Sequence, residues 1–143
     1  MSDIKLNPYI GRPGDAREMM EFYHKIFGGE LNLSTYGESP MPTPDSHKDK
    51  LMHSSLEADG VSIMASDAPP DMQMSSTHSN VSLSLNGKAG DEDRLRKVFE
   101  ELSDGGKVTM PMEKQFWGDH FGMVDDKFGT SWMVNIEGAK EKD

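Results

Sequence analysis

His53, Glu113 and His120 are the residues of this chain best placed by type to move a proton. A neutral imidazole beside a carboxylate, here Glu113 or Glu57, can serve as a general base near neutral pH. The plainer reading, a strand histidine satisfied by a local hydrogen bond, outweighs it. Of the other three histidines, His24 falls on a helix opposite its apolar stripe, His47 in a loop and His78 in a linker. Neither His47 nor His78 has a partner at ligand spacing. A second constellation is Glu113, Gln115, Trp117 and Phe121, because an indole and a phenyl ring beside a carboxylate and an amide can clamp a flat or cationic ligand. No Ser-His-Asp pattern and no Gly-rich phosphate loop is present. The 143 residues include no cysteine, which excludes thiol catalysis, iron–sulfur clusters, zinc–thiolate sites and disulfides.

Composition narrows the partners. The formal net charge is −10, so phosphate backbones and anionic lipid are repelled, and neither nucleic acid nor membrane is an expected partner. That charge favours cationic small molecules, although an acidic balance also serves solubility alone. The first residues lack the apolar run of a secretory signal, and no segment has the apolar length of a membrane span. Together with the missing cysteines this fits a cytoplasmic protein. One domain is the default for this length, and the core must draw on the 12 methionines.

The elements that position these residues are written twice. Asp59-Gly60-Val61-Ser62-Ile63-Met64 recurs as Phe128-Gly129-Thr130-Ser131-Trp132-Met133, with glycine in a turn, serine two residues on and methionine two further. A strand is expected over 4–10, interrupted by Pro8, then a turn at Gly11–Gly14. A helix follows, capped by Asp15 with Glu18 at the capping-box position, its apolar face made by Ala16, Met19, Met20, Tyr23, Ile26 and Phe27. Strands at 30–36, 51–58 and 61–66 complete a first module of about 1–67. After a linker at 68–79, a second module of about 80–138 repeats the order. It has a strand at 80–85, a helix at 91–103, and strands at 107–117, 120–124 and 131–136. The sequence therefore reads βαβββ–βαβββ.

Period-2 alternation assigns the faces. Ile4, Leu6 and Ile10, Val61, Ile63 and Ala65, Val81, Leu83 and Leu85, and Trp132, Val134 and Ile136 are expected to face the helices. Asn7 and Tyr9, Ser62, Met64 and Ser66, Asn80, Ser82 and Ser84, and Ser131, Met133 and Asn135 then face the other way. That second set mixes hydroxyls, amides and thioethers, with few charges. It suits the wall of a concave small-molecule pocket better than a plain solvent face.

The chain resembles the vicinal oxygen chelate superfamily, the glyoxalase/bleomycin-resistance/dioxygenase group, and within it the PhnB-like branch that carries a demethylubiquinone-methyltransferase-type name. The resemblance rests on Phe22-Tyr23-His24-Lys25-Ile26-Phe27-Gly28-Gly29-Glu30, Met52-His53-Ser54-Ser55-Leu56, Ser66-Asp67-Ala68, Phe116-Trp117-Gly118-Asp119-His120-Phe121-Gly122, and Asp126-Lys127-Phe128-Gly129 with Trp132. It implies an α+β fold in which two βαβββ modules pair into a cupped mixed sheet with helices outside, and it implies a homodimer. Metal enzymes of the superfamily hold a divalent ion with His and Glu from the first and last strand of each module. Those four positions fall near Asn7, Met64, Asn80 and Met133, and two amides and two thioethers suit no hard or borderline divalent ion.

The resulting expectation is a metal-free, cofactor-free small-molecule-binding protein. Its ligand wall is drawn from Asn7, Tyr9, His53, Met64, Asn80, Ser82, Glu113, Trp117, His120, Phe121 and Met133. The alternatives are a lyase, isomerase or dioxygenase of the same superfamily using an unusual metal set such as His53, Glu113 and His120, or a protein that sequesters a cationic antibiotic. Elemental analysis of the dialysed protein is expected to find no stoichiometric Zn, Ni, Mn or Fe. One tightly held ion of that kind per chain refutes the ligand-position argument.

Overall fold

The computed structural model describes residues 6–40, 42–69 and 81–138. The chain divides into two compact units, Met1–Thr77 and His78–Asp143, and both repeat one order of elements. In the first, β1 (Tyr9–Arg12) leads through α1 (Ala16–Phe27) to β2 (Glu30–Thr35), β3 (Leu51–Ala58) and β4 (Val61–Asp67). In the second, β5 (Leu83–Lys88) leads through α2 (Glu92–Ser103) to β6 (Lys107–Lys114), β7 (His120–Asp125) and β8 (Ser131–Glu137). The strand orders are β1-β4-β3-β2 and β5-β8-β7-β6. In each sheet the first and last strands run parallel and the other pairs antiparallel. The class is α+β, two four-stranded mixed sheets with one helix each. No described helix is long and apolar enough to cross a membrane.

The cores follow the alternation. Ala16, Met19, Met20, Tyr23 and Phe27 of α1 bury against Leu56 of β3 and Ile63 and Ala65 of β4. Leu95, Val98, Phe99 and Leu102 of α2 bury against Val124 of β7 and Trp132, Val134 and Ile136 of β8. Both helices end at a glycine corner made by one device. A Cβ on Gly29 would stand 2.2 Å from the carbonyl oxygen of Glu57, and a Cβ on Gly106 would stand 2.2 Å from that of Asp125. Each corner passes the end of the third strand of its unit so closely that only glycine fits.

The first strand of each unit starts later than the alternation alone suggests. Gly11 and Arg12, read as a turn, pair with Ser66 and Asp67. Pro8 has no N–H to give a ladder; its carbonyl only accepts from Met64 N–H at 3.0 Å. Leu6, expected in the core, precedes the ladder and is 97% exposed. In the second unit the ladder begins at Leu83 opposite Trp132, leaving Val81, also expected inward, 63% exposed. Ile4 and Asn80 lie outside the described residues.

The capping box of α1 does not form either. The Asp15 carboxylate is taken by Arg12, whose Nε and Nη2 donate to its two oxygens at 2.6 and 2.8 Å. That guanidinium holds the Asp15 carboxyl below its usual range. The cap comes instead from Asp67 at the far end of β4, which is 2% exposed. One of its oxygens accepts from Ala16 N–H and the other from Leu51 N–H, both at 2.9 Å. Tyr36 O–H donates to the Asp67 carbonyl at 2.9 Å. One buried side chain thus joins the start of α1, the start of β3 and the end of β4.

Removing that carboxylate leaves two buried N–H groups unpaired. Asp67→Ala is expected to cost about 2–4 kcal/mol of unfolding free energy, against under about 1 kcal/mol for Asp15→Ala at the half-exposed ion pair. Urea titrations of the two variants decide it, and an Asp67→Ala cost no larger than that of Asp15→Ala refutes the cap assignment.

Candidate functional site

Each unit turns one sheet face away from its helix, and these faces gather most of the residues singled out from the sequence. In the first unit, β1, β4, β3 and β2 place Tyr9, Met64, Ser55 and Asn32 in one cross-strand row. Next to it, Gly11 pairs with Ser66 on β1 and β4, and His53 with Ser34 on β3 and β2. Tyr9 reaches across to His53, its phenol oxygen 3.0 Å from Nδ1 with ring centroids 5.7 Å apart. Both rings are exposed, so this phenol–imidazole pair can hold or pass a proton at the open surface. Ser62 O–H donates to Glu57 at 2.9 Å at the far edge of the face.

In the second unit two rows run side by side. Ser84, Met133, Met123 and Met110 form one, and Asn86, Asn135, Phe121 and Glu113 the other. Asn135 Nδ2 donates to Asp119 at 3.0 Å, and the other Asp119 oxygen accepts from Gly138 N–H at 2.9 Å. Asp119 therefore fixes the Asn135 amide and the strand beyond it. Trp117, 50% exposed, meets Phe121 edge-on at 6.1 Å and Phe116 at 5.0 Å.

The turn before β8 fixes this face. Asp126 is buried; one oxygen accepts from Phe128 and Thr130 N–H and the other from Trp132 Nε1 at 2.9 Å. With the indole tied inward, alternation turns Ser131, Met133 and Asn135 outward. Ser131 O–H completes the edge with a 2.7 Å bond to Asp125.

The sequence-derived residues sort as follows. Tyr9, His53 and Met64 share the open face of the first unit; Met133, Glu113 and Phe121 share that of the second, with Trp117 against Phe121. Asn7 and Ser82 stand just before their strands, outside the ladders, and Asn80 lies outside the described residues. His120 is on the other side. It pairs with Ile136 and alternates with the buried Gly122 and Val124, so it faces the helix side of its sheet. Its Nδ1 is buried without a hydrogen-bond partner. The Glu92 carboxyl at the start of α2 is held below its usual range, mainly by a 2.8 Å hydrogen bond from Arg96, with a small contribution from His120.

Glu113, opposite Phe121, therefore points away from His120, and these two build no common metal centre. Among the described residues no three His, Asp or Glu side chains gather to hold an ion. His24 and His47 have backbone partners, the carbonyls of Gly29 at 3.1 Å and Ala68 at 2.9 Å.

Several residues of these faces were not singled out from the sequence. Met123 is readable from the alternation of Phe121 and Met123 with Gly122 and Val124. Asn86 is hidden by the late start of β5, and Met110 by two register shifts in β6.

A family described as 3-demethylubiquinone-9 3-methyltransferase matches residues 5–135. Protein PA1353 from Pseudomonas aeruginosa is 37% identical, with a TM-score of 0.83 over 94% of this chain and 98% of its own. PhnB protein from Bacillus cereus is 23% identical, with a TM-score of 0.72 over 93% of this chain and 99% of its own. The fosfomycin resistance protein FosX from Listeria monocytogenes, whose crystals hold Mn(II) and sulfate, is 10% identical. It shares the fold alone, with a TM-score of 0.61 over 99% of this chain and 98% of its own.

Proposed function

The chain belongs to the 3-demethylubiquinone-9 3-methyltransferase family, a PhnB-like branch of the vicinal oxygen chelate superfamily, and from that premise we propose that it is a small-molecule-binding protein that dispenses with a divalent metal. The observation that carries the reading is the placement of Met64 and Met133 at equivalent positions on the two open faces, half-buried among phenol, imidazole, hydroxyl and amide groups. A soft apolar ground with a few placed polar groups is the composition of a ligand surface. The ladder sets Tyr9 opposite Met64 in the first unit and Ser84 opposite Met133 in the second, and in neither unit does a neutral hydroxyl beside a thioether suit a hard or borderline divalent ion. The exposed Trp117 near Phe121 and Glu113, with the net charge of −10, favours a flat ligand that is neutral or cationic. A cytoplasmic location and a homodimer belong to the same proposal, since each sheet ends in outer strands whose backbone groups need cover.

A thermal-shift screen of a small-molecule collection tests the reading. Ligands that raise the melting temperature of the unaltered chain are expected to lose their effect on Met64→Glu and Met133→Glu, while circular dichroism stays unchanged. A half-open face tolerates a charge that a core does not. A collection without any stabilising compound, or variants that unfold, refutes it. Light scattering at micromolar concentration is expected to give the mass of a dimer, and a monomer mass refutes that part.

A further inference from the structure

We propose that the second unit carries a thioether site for a soft monovalent cation, Cu(I) or Ag(I), built from Met110, Met123 and Met133. The register puts Met110 of β6, the single paired residue between two register shifts, opposite Met123 of β7, and Met123 opposite Met133 of β8. Residues paired directly across strands share a face, with Cβ atoms about 4.5–5.5 Å apart. Three thioethers therefore stand side by side on one face, with Met123 between the other two.

Methionine is unbranched, with several rotatable bonds, so the outer two sulfurs can swing over the central one. The site is open to an incoming ion: Met110 is 38% exposed, and Met123 and Met133 are half-buried. Neutral thioether sulfur selects Cu(I) and its heavier congener over Mg, Mn or Zn. The row and its neighbour, Asn86, Asn135, Phe121 and Glu113, hold no cationic side chain and one carboxylate. Phe121, two residues from Met123 on the same face, adds a ring whose π-face attracts a cation. A chain with no cysteine and 12 methionines has no thiolate to compete for such an ion. This site stands whether or not the faces bind an organic ligand, because that reading fails in the thermal-shift screen and this one in a silver titration.

The experiment is calorimetric titration of the full chain with silver nitrate in chloride-free buffer, paired with native mass spectrometry. One Ag(I) per chain is expected. Met110→Leu, Met123→Leu and Met133→Leu, which nearly conserve volume, are each expected to weaken binding roughly tenfold or more. Met52→Leu and the double variant Met72→Leu/Met74→Leu are expected to leave it unchanged. Should one of the three site variants fail to fold, methionine-methyl NMR of the unaltered chain decides, with three of the 12 methyl signals expected to move together as silver is added. Absence of binding overturns the proposal. So does binding that survives in the triple leucine variant, binding lost with Met72 and Met74, or movement of other methyl signals instead.

Discussion

The faces of this protein are decided by one constraint, the parallel pairing of the first strand of each unit with its last. Tyr9 opposite Met64 and Leu83 opposite Trp132 are the anchor pairs. Because side chains alternate with a period of two, a slip of one residue in either pairing would exchange the open-face residues of the slipped strand for core residues. The indole of Trp132, tied to the buried Asp126, guards against that slip in the second unit. In the first, the buried Ile63 and Ala65 and the carboxylate of Asp67 do so.

The two buried aspartates show how one duplicated plan is stabilised in two ways. Asp126 works locally, ordering the turn that follows it and one side chain six residues on. Asp67 works at long range, holding backbone N–H groups of a helix and of a neighbouring strand. The glycine corners at Gly29 and Gly106, by contrast, are the same device in both units. Steric contact between a corner and a strand end is fixed by topology, whereas the partner of a carboxylate is free to differ.

The repeat, the order of elements and the inward set Ile63, Ala65, Trp132, Val134 and Ile136 were legible in the sequence, since they rest on turn glycines and strict alternation. So was the placement of Met64 and Met133 on the opposite faces. Strand starts were not: Leu6 and Val81 alternate correctly but precede the ladders, which begin at Tyr9 and Leu83, and alternation carries no information about where a ladder begins. The side occupied by His120 was missed for a related reason. Its neighbours Gly122 and Val124 reveal the inward parity only once the strand is read from its far end. The Asp15 cap failed because Arg12, three residues before it, is a stronger partner than a helix N–H, and nothing local to Asp15 announces that Asp67 takes its place.

That substitution makes the cap of α1 depend on a residue 51 positions downstream. A helix capped by its own neighbours can hold its first turn as soon as it emerges from synthesis. Here the side-chain acceptor reaches the first turn only when β4 has docked, so the cap and the last strand of the first unit form together. The cost of closing that long loop is met before the cap contributes anything, and the early chain exposes an amphipathic α1 with no sheet to cover it. Asp67 therefore couples the fraying of a helix end to the presence of the last strand.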